Sequence, residues 1–334
     1  MARTTIDHVA AAAGVSIKTV SRVLNEEPGV RGETRRKVRD AIAALSYRPS
    51  LPARSLAGKR SSLLGLIYEN PSASYVFDVQ DGAMARCREA GLRLFIQSCN
   101  GLGERLVEEV LAMVEQTHVD GLIVTPPLSA RADLIDALEA KGVPTIRLAP
   151  DDVAGGPPAI VMDDEAAARA MTEHLIELGH RRIGFVAGHP GHPSSRLRLD
   201  GWRSALAAAG LEEGPVEQGY NDLASGLEAG RRILAAEDPP TAVFASNDDM
   251  AAGVVQAAHA AGIAVPAQLS VAGFDDSQIA AIVWPPLTTV RQPSRDMAFA
   301  AAGLLIDLVR GQEVPAVTEL PFALIARGST AAPS

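Results

Sequence analysis

Residues 4–25 read TTIDHVAAAAGVSIKTVSRVLN, and this stretch decides the fold at the start of the chain. Thr5 or Thr4 can cap a first helix over residues 6–13, because a threonine hydroxyl accepts a hydrogen bond from a free amide of the first helical turn. Gly14 then supplies a permissive backbone for a tight turn. The stretch therefore begins with a short helix that ends at a glycine.

A second helix follows the turn over residues 17–24, with Ser16 as its cap. Its apolar face is formed by Val20, Val23 and Leu24, at helical spacing. The other face presents four side chains of different chemistry, which are Ile17, Lys18, Ser21 and Arg22.

A third helix is predicted over residues 33–45, where apolar side chains recur at i, i+3, i+4 and i+7. Two helices joined by a glycine turn are typical of a helix-turn-helix, whose second helix enters the DNA major groove. The side chains suited to base edges are Ile17, Lys18 and Arg22. Those suited to phosphates are Thr5, Ser16, Thr19, Ser21, Asn25 and Thr34. The alternative is a small helical bundle whose basic face is only solvated.

The charge distribution supports a nucleic-acid-binding head. The whole chain of 334 residues has a net charge of −9. Residues 1–60 hold 12 Lys and Arg against 5 Asp and Glu, a balance of +7, and residues 61–334 hold 19 against 35, a balance of −16. Such asymmetry indicates a basic DNA-binding part joined to an acidic globular body.

Composition places the protein among cytoplasmic globular proteins. Apolar residues make up 47% of the chain, enough for real hydrophobic cores. Cys87 and Cys99 are too few for a disulfide framework and suit a reducing compartment. Charged residues precede any apolar run that could serve as a signal peptide, and no run of about 18 apolar residues follows. We therefore expect a cytoplasmic location, no membrane association and no cofactor.

Residues 48–60, RPSLPARSLAGKR, have the composition of a linker, with two prolines and four positive charges. Residues 52–58 could form one or two helical turns, but so short a helix is marginal alone. This segment would therefore need contacts with a partner in order to form a helix.

From residue 61 onward strands alternate with helices of 10–15 residues, which predicts an α/β fold of two doubly wound parallel sheets. The predicted strands are 63–68, 92–98, 121–125, 145–149, 183–187, 242–245 and 269–274. The predicted helices are 76–90, 104–116, 165–178, 195–209, 224–236 and 250–261. In such sheets ligands bind at the carboxyl ends of the strands.

Motifs along nearly the whole chain resemble those of one family, in the same order. They are TTIDHVAAAAGVSIKTVSRVLN at 4–25, ETRRKVRDAIAALSYRP at 33–49, ARSLAGKRSSLLGLI at 53–67, DGLIV at 120–124, AAARAMTEHLIELGHRRIGFVAG at 166–188, RLRLDGW at 196–202, ASNDDMAAGVV at 245–255, SVAGFDD at 270–276 and PPLTTVRQP at 285–293. On these motifs the chain closely resembles the LacI/GalR family of bacterial transcription regulators.

The resemblance implies a homodimer that binds a nearly palindromic double-stranded DNA operator. Ile17, Lys18 and Arg22 fall on the base-reading positions of the family. Leu56 matches a leucine that enters the minor groove, where an inserted side chain kinks DNA at a cost on the order of a few kcal/mol. The candidate hinge residues for the minor groove are Ala53, Arg54, Leu56 and Ala57. The alternative for Leu56 is an ordinary contact between hinge and core.

Three positions depart from the family pattern. The family usually has Ser and Asn where this chain has Arg31 and Ser50. A lost serine cap costs about 1 kcal/mol unless Thr34 or Gly32 compensates, and Arg31 is then a candidate phosphate contact. Pro52 lies within the hinge and is tolerable only in its first turn.

The body resembles periplasmic sugar-binding proteins, which hold a ligand in a cleft between two subdomains. The resemblance makes Arg198, Asn247 and Asp275 a polar clamp, whose donors and acceptors suit vicinal hydroxyls. Each has an alternative role. Arg198 could form a surface ion pair, Asn247 could cap the helix after it, and Asp275 could be a structural turn residue.

Further effector-binding candidates follow other strands. They are Ala73, Tyr75, Phe77, Thr125, Asn221 and Gln292. Tyr75 and Phe77 could equally belong to the core. Asn221 stands where many sugar-binding relatives have an aromatic residue, and Ala149 stands where some have an aspartate, so the ligand is expected to differ from familiar galactosides.

Metal-dependent or enzymatic chemistry has little support in the sequence. His189 and His192 lie in the loop GHPGHP at 188–193 and are too few for a metal site. Motifs of nucleotide-binding and hydrolytic enzymes are absent from the sequence. The enzyme alternative remains a DNA-binding head fused to a sugar-modifying enzyme domain. Its candidate catalytic groups are the paired carboxylates at 163–164, 248–249 and 275–276.

These observations predict three parts: a helix-turn-helix domain at 1–48, a hinge helix at 49–60, and an effector-binding and dimerisation core at 61–334. Within the core we expect one subdomain at about 61–162 plus 291–322 and another at about 163–290 plus 323–331. The predicted function is repression of a carbohydrate-utilisation operon, relieved by a sugar inducer. The alternative is a corepressor-type regulator that senses a purine or another small metabolite. Because no heptad repeat follows the last strand, we expect a dimer and not a tetramer.

Overall fold

The structure is a computed structural model that describes residues 4–24, 29–45, 47, 61–100, 103–150 and 152–334. These residues belong to two compact units, Met1–Leu63 and Leu64–Ser334. The predicted hinge at 49–60 and Asn25 lie outside the described residues.

The first unit contains three described helices, which are α1 (Ile6–Ala13), α2 (Ile17–Leu24) and α3 (Gly32–Ala44). At the start of α1 the backbone amide of Thr5 donates a 3.0 Å hydrogen bond to Nδ1 of His8. The helix ends at Gly14, which is left-handed with φ 64°. Glycine enters this region without a steric penalty, which is why the turn into α2 suits it.

Valines form the centre of the first unit. Val9, Val20 and Val38, one from each helix, have no exposed surface, and Val23 and Tyr47 are also buried in this cluster. Because the three helices bury these faces against one another, the opposite face of α2 is left for contacts outside the unit.

The second unit is built on two sheets and a two-stranded ribbon. The first sheet has the order β11-β5-β4-β3-β1-β2. Its strands are β1 (Leu63–Tyr68), β2 (Arg93–Ser98), β3 (Gly121–Val124), β4 (Thr145–Leu148), β5 (Ala159–Val161) and β11 (Val317–Glu319). The pairs from β1 through β3, β4 and β5 to β11 are parallel, with Leu64 opposite Gly121 in the β1–β3 register.

The second sheet has the order β7-β6-β8-β9, and all of its pairs are parallel. Its strands are β6 (Ile183–Ala187), β7 (Val216–Gln218), β8 (Ala242–Ala245) and β9 (Ser270–Ala272). The ribbon pairs β10 (Thr289–Arg291) with β12 (Ala323–Ile325) in antiparallel fashion. The strands β3, β6 and β8 are buried along their length, as expected for sheets covered on both faces.

Helices cover both sheets. Those packed with the first sheet are α4 (Ala73–Glu89), α5 (Leu106–Thr117), α6 (Ala132–Ala140) and α12 (Ser294–Val309). Those packed with the second are α7 (Asp164–Glu177), α8 (Pro193–Ala208), α9 (Leu223–Leu234) and α10 (Asp248–Ala260), and α11 (Gln278–Ile282) follows β9. We call the first sheet with its helices the first lobe and the second sheet with its helices the second lobe.

The motif RLRLDGW holds two helices of the second lobe together. Gly201 of α8 lies so close to α7 that an added Cβ would overlap the Glu165 carbonyl oxygen. Next to it Trp202 is fully buried, and its ring centroid lies 5.4 Å from that of Phe185 on β6. Glycine therefore permits close helix packing, and the tryptophan fills the space between helix and sheet.

Both sheets change the direction of strand order at one point. In the first lobe this switch lies between β1 and β3, and in the second between β6 and β8. Ligands of open parallel sheets bind outside the carboxyl ends of strands at such points. The loops that follow Tyr68, Val124, Ala187 and Ala245 are therefore the places to look for a site.

Candidate functional site

Side chains from these loops converge on one cavity between the two lobes, which we call the inner pocket. It is lined by Asn70, Ser72, Tyr75, Pro126, Ala149, His192, Ser194, Arg198, Asn221, Asn247, Asp275 and Gln292. Asn70 and Ser72 follow β1, Pro126 follows β3, and Asn247 follows β8. The two switch points thus supply opposite walls of one pocket.

Arg198, on α8, is the centre of the inner pocket. Its Nε donates to Oδ1 of Asp164 at 2.8 Å, and its two terminal nitrogens donate to the Ser246 carbonyl oxygen at 2.7 Å and to Oε1 of Gln292 at 3.1 Å. The guanidinium carbon lies 3.6 Å from the centroid of the Phe274 ring. The side chain is buried, so the surface ion pair considered from the sequence does not describe it.

The charges around Arg198 nearly cancel. Asp164 pairs with its Nε, and Oδ1 of Asp275 lies 3.5 Å from one of its terminal nitrogens. Burial raises the pKa of Asp164, although the adjacent guanidinium opposes that rise. Burial also raises the pKa of Asp275 well above its usual range, and Arg198 again opposes it. Two buried carboxylates therefore share one cation, and the pocket has no surplus positive charge.

Asn247 caps a helix and also lines the inner pocket. Its Oδ1 accepts a 2.9 Å hydrogen bond from the Met250 amide and so caps α10. Its Nδ2 donates to the Asn221 carbonyl oxygen at 3.1 Å while the residue lines the inner pocket. The cap fixes the side chain, which is a requirement for a precise hydrogen-bonding group.

Asp275 lies in a strained turn held by a buried acid. Its φ is 115°, a conformation that residues with a Cβ rarely adopt. Asp248 anchors the turn, because its carboxylate accepts hydrogen bonds from the Ser277 amide at 2.8 Å and from the Thr289 hydroxyl at 2.7 Å. Burial raises the pKa of Asp248 to about 7, against those hydrogen bonds. Asp275 is thus both a turn residue and a pocket residue.

Tyr75 and His192 add two groups that are uncharged at neutral pH. Burial raises the pKa of the Tyr75 hydroxyl, and Asp275 raises it further. Burial lowers the pKa of His192 to about 4, and the neighbouring His189 and Arg198 act in the same direction. The inner pocket therefore offers neutral donors and acceptors beside its balanced charges.

Several candidates from the sequence lie outside the lining of this pocket. Phe77 is 66% exposed, because it is two residues from Tyr75 on α4 and about 200° around the helix from it. Thr125 is fully buried, with its hydroxyl directed to the Pro126 carbonyl oxygen at 3.4 Å. Ala73 opens α4 and is exposed. Tyr75, Arg198, Asn221, Asn247, Asp275 and Gln292 do line the pocket.

The sequence interpretation misses Asn70, Ser72, Ser194 and the partner Asp164. The sequence analysis treats Asp164 only as one of a pair of carboxylates. Its neighbour Asp163 caps α7, because its carboxylate accepts a 2.8 Å hydrogen bond from the Ala166 amide. Asn70 and Ser72 follow β1 directly, so attention to every polar residue after that strand would have found them.

Nothing in the described ranges indicates a metal site, since no group of three or more potential ligands occurs there. Among the same residues no helix is long and apolar enough to cross a membrane.

The first unit presents a separate polar surface on α2. Ile17 is 47% exposed, and Lys18 is exposed beside it. The Ser16 hydroxyl accepts a 3.2 Å hydrogen bond from the Thr19 amide, which caps α2. Ile17 and Lys18 thus project from the first turn of a capped helix, on the side away from the valine core.

Other residues expected at the DNA interface lie on α2 or next to the starts of α1 and α3. Thr5 precedes α1, Ser21 and Arg22 are partly exposed on α2, and Arg31 and Thr34 stand at the start of α3. Arg31 occupies the cap position of α3 but makes no side-chain cap hydrogen bond. Exposed polar groups and helix starts are the features with which proteins contact DNA phosphates.

Comparison with known proteins identifies the family. Residues 5–50 match the family described as bacterial regulatory proteins, lacI family, and residues 172–330 match the periplasmic binding protein-like domain. The lactose operon repressor of Escherichia coli (strain K12) is 32% identical over 332 residues, covering 99% of this chain and 91% of that protein. The chain belongs to the LacI family of bacterial regulatory proteins. It is a DNA-binding transcription regulator.

Other members of the LacI family are similarly related. The transcriptional repressor PurR of Photobacterium profundum is 33% identical over 315 residues, covering 92% of each chain. A crystal structure of the Lac repressor dimer bound to operator and the anti-inducer ONPF superposes with a TM-score of 0.84 at 32% identity, covering 99% of this chain and 100% of that one. A complex of the regulator CelR with cellobiose superposes with a TM-score of 0.73 at 32% identity, covering 98% and 100%.

The LacI-family assignment confirms the predicted fold class of a helix-turn-helix head followed by an α/β core with parallel sheets. Whereas α6, α11, α12, β5 and β7 are not in the predicted set, the helices and strands that are predicted lie within a few residues of observed ones. For example, α3 begins at Gly32, one residue before the predicted start, and α4 begins at Ala73, three residues before.

Proposed function

We propose that this LacI-family regulator is a repressor that binds a nearly palindromic operator as a homodimer and releases it when a small neutral sugar occupies the inner pocket. The observation that carries the proposal is the arrangement of Arg198, Asn247 and Asp275 around one cavity. Together they offer fixed donors and acceptors with balanced charge, which is the chemistry that neighbouring hydroxyls require.

The DNA part of the proposal rests on the capped helix α2. Ile17, Lys18 and Arg22 are proposed to read bases in the major groove, since Lys and Arg donate to guanine and Ile packs on a thymine methyl. The proposed phosphate contacts are Thr5, Ser16, Thr19, Ser21, Asn25, Arg31 and Thr34. Hinge contacts in the minor groove by Ala53, Arg54, Leu56 and Ala57 remain part of the proposal, and these residues lie outside the described ones.

The homodimer is supported by relatives and by a surface patch. The Lac repressor structure is a dimer bound to operator. In the second unit of this chain Ile282 and Trp284 are 71% and 77% exposed. Two large apolar side chains that are so exposed and only two residues apart in sequence suit a surface that a partner covers. Sedimentation of Trp284→Arg tests the role of this patch, and a variant that remains a dimer contradicts it.

We propose a sensor without catalytic activity. The Asp164 carboxylate accepts a hydrogen bond from Arg198 and that of Asp248 accepts one from the Ser277 amide, while that of Asp275 lies 3.5 Å from a terminal nitrogen of Arg198, as expected of structural carboxylates. A bacterial DNA-binding regulator acts where the chromosome lies, so the proposed location is the cytoplasm. Incubation of the protein with sugars is expected to leave them unchanged, and turnover would favour the enzyme alternative.

A purine corepressor is the second candidate, because PurR is among the relatives. In this alternative a purine would occupy the same pocket and would raise the affinity for the operator instead of lowering it. The sugar proposal is favoured by the Arg198 clamp and its neutral surroundings, since hydroxyl groups satisfy both the donors and the acceptors there.

The test is binding of the full-length protein to the promoter beside its own gene, followed in a gel shift at moderate salt. We expect preference over random DNA of equal length, and release on addition of one member of a sugar panel. Complete release requires about 5 kcal/mol of differential affinity between the two conformations. Equal binding to random DNA contradicts the operator proposal, and tighter binding with hypoxanthine or guanine supports the corepressor instead.

A further inference from the structure

A separate cavity lies in the first lobe, and we call it the α6 groove. It is lined by α6, the turn at 128–130 before that helix, strand β4 and the loop at 152–156. Its volume is about 270 Å³, near the lower end of the range for small-ligand sites. The α6 groove shares no lining residue with the inner pocket. A ligand in it would therefore occupy a different place from the effector.

The most deeply buried residue of the α6 groove carries an unsatisfied hydroxyl. Ser129 is 1% exposed, and its Oγ has no hydrogen-bond partner among the described residues. Buried hydroxyls in folded proteins nearly always have a partner, because an unpaired one raises the free energy of the folded state. A ligand that brings a hydrogen-bonding group to this part of the groove would remove that cost.

Arg147 supplies a buried cation in the same lining, with 7% of its surface exposed. Its Nε donates to the Pro157 carbonyl oxygen at 2.9 Å. Its two terminal nitrogens donate to the carbonyl oxygens of Asp152 at 2.9 Å and Gly155 at 2.8 Å.

These three bonds hold the guanidinium of Arg147 in place without neutralising it, because all three acceptors are uncharged carbonyl oxygens. Each terminal nitrogen also keeps a second N–H. Burial lowers the pKa of Arg147, and the charges of Asp152 and Glu139 oppose that fall. A carboxylate is the group that a guanidinium binds most strongly, so the buried end of the groove suits a ligand carboxylate.

The rim of the α6 groove has the opposite charge. Asp136 and Glu139 are three residues apart on α6, which places them on one face of the helix, and both are exposed and line the groove. With Asp152, the lining has three carboxylates against the one guanidinium. A cleft with an excess of one sign of charge attracts the opposite sign. The rim therefore suits an ammonium group.

Apolar side chains complete the lining. Ile135 is 6% exposed, and Ala130, Ala132 and Ala154 are exposed beside the polar groups. Small apolar surface of this kind favours a ligand with an apolar part, because burial of that part removes it from water. The groove thus offers three environments to one small molecule: a buried donor pair, an acidic rim and an apolar wall.

We infer that the α6 groove binds a free α-amino acid with an apolar side chain, with its carboxylate on Arg147 and Ser129 and its ammonium on the carboxylates of α6. This site goes beyond the proposed function, which concerns the inner pocket. The core would then have two small-molecule sites joined by β4, because β4 carries Arg147 and leads directly into Ala149 of the inner pocket.

The test is isothermal titration calorimetry of the full-length protein. The probes are L-alanine, L-valine, L-leucine, L-isoleucine, L-methionine and L-phenylalanine. Each is compared with its amide, which lacks the carboxylate, and with its deamino acid, which lacks the ammonium. We expect one amino acid to bind about tenfold or more tightly than either of its two analogues, because each analogue loses charge-assisted hydrogen bonds.

Ser129→Ala separates ligand binding from general damage. We expect it to weaken the preferred amino acid by about threefold to tenfold, since a hydrogen bond to the carboxylate is lost. The midpoint of urea denaturation of the unliganded protein is expected to stay the same or to rise, because the Ser129 hydroxyl has no partner to lose among the described residues.

Variants on α6 test the ammonium contact. Asp136→Asn and Glu139→Gln are each expected to weaken the amino acid by about fivefold or more. Asp133→Asn is the matched control, because Asp133 lies on the same helix, is 53% exposed and is outside the lining of the groove. This control is expected to bind the amino acid like the wild type.

The outcomes separate this site from the proposed function. Absence of binding by every amino acid in the series overturns the inference. An amide or deamino acid that binds as tightly as its parent also overturns it, as does unchanged affinity in the Ser129, Asp136 and Glu139 variants. Each of these results leaves the sugar-sensing function standing. Absence of a response to every sugar overturns that function and leaves the amino-acid site standing.

Discussion

The hydroxyl of Ser72 donates a 2.9 Å hydrogen bond to the carboxylate of Asp249, and this bond joins the two lobes of the core. Ser72 precedes α4 of the first lobe, and Asp249 lies in the first turn of α10 of the second. Burial raises the pKa of Asp249, and the donated hydrogen bond opposes that rise. The bond therefore stabilises the arrangement in which the lobes approach each other around the inner pocket.

Removal of this bond is expected to weaken effector binding. Ser72→Ala takes away a hydrogen bond to a partly buried carboxylate, worth about 1–3 kcal/mol, which corresponds to a loss in affinity of about fivefold or more. Calorimetry with the bound sugar measures the loss. Ser74→Ala, the same change on α4 two residues away, is the control, and equal affinity of the two variants would contradict a role for the bond.

Replacement of Arg198 by lysine is expected to damage both stability and ligand binding. An ammonium cannot reproduce the fork of donors that reaches Asp164, the Ser246 carbonyl oxygen and Gln292. We expect the free energy of unfolding to fall by about 1–3 kcal/mol, since hydrogen bonds to buried charged groups are lost. Urea denaturation and calorimetry measure the two effects. Arg196→Lys, at an exposed pair with Asp200, should change neither, and an Arg198→Lys variant with full ligand affinity would place the clamp elsewhere.

The stability of the core is expected to depend on pH through His192. Burial lowers its pKa to about 4, so between pH 6.5 and 4 the unfolded chain binds a proton that the folded protein does not. The contribution of neutral His192 to the free energy of unfolding is therefore complete above pH 6.5. It decreases as the pH drops toward 4, by a total on the order of 3 kcal/mol.

The effect of His192 must be measured by comparing the wild type with a His192 variant, because Asp164 and Asp275 change the stability in the opposite direction as the pH falls. Their raised pKa values make the folded state bind protons first, so their contribution rises as the pH falls. Denaturation of the wild type and of His192→Asn at pH 7.5, 6 and 5 isolates the histidine. The wild type should lose stability relative to the variant as the pH falls, while His259→Asn, at an exposed position, should track the wild type.

A serine at position 31 is expected to stabilise the head. Arg31 occupies the cap position of α3 without a side-chain cap hydrogen bond, and serine there restores one, worth about 1 kcal/mol. Hydrogen exchange of the first amides of α3 in the full chain reports the gain. Arg31→Ala removes the guanidinium without adding a cap, and if it protects these amides as well as Arg31→Ser does, capping is not the cause.

Lys18→Ala is expected to relax operator specificity. Lys18 projects from the first turn of α2, and loss of a base contact costs about 1–3 kcal/mol at particular base pairs. Fluorescence anisotropy with single-base operator variants measures this cost by position. Lys37→Ala is the control, because Lys37 is 61% exposed and pairs with Glu33 on α3. A loss that is uniform across all operators would make Lys18 a phosphate contact.

Tyr75 and Phe77 illustrate how far the site could be predicted. The sequence places both after β1 at a helix start, and nothing local distinguishes them. On one helix they point about 200° apart, so only one can face the cleft. The way α4 packs against the first sheet turns Tyr75 toward Arg198 and leaves Phe77 66% exposed. Which face is buried depends on neighbours that are distant in sequence.

The sequence alone determines the helices of the head, the glycine turn between them, and the alternation of strands and helices in the core. It can do so because helix caps, turn conformations and apolar periodicity depend on residues that are only a few positions apart. Local sequence patterns do not predict which distant residues pair. Arg198 pairs with Asp164, 34 residues away, and Ser72 pairs with Asp249, 177 residues away. These pairs exist because the order of strands in each sheet brings their carboxyl ends to one cleft. The tertiary structure also shifts the pKa values of Asp248 and His192, because burial in the cleft raises the free-energy cost of their charged forms.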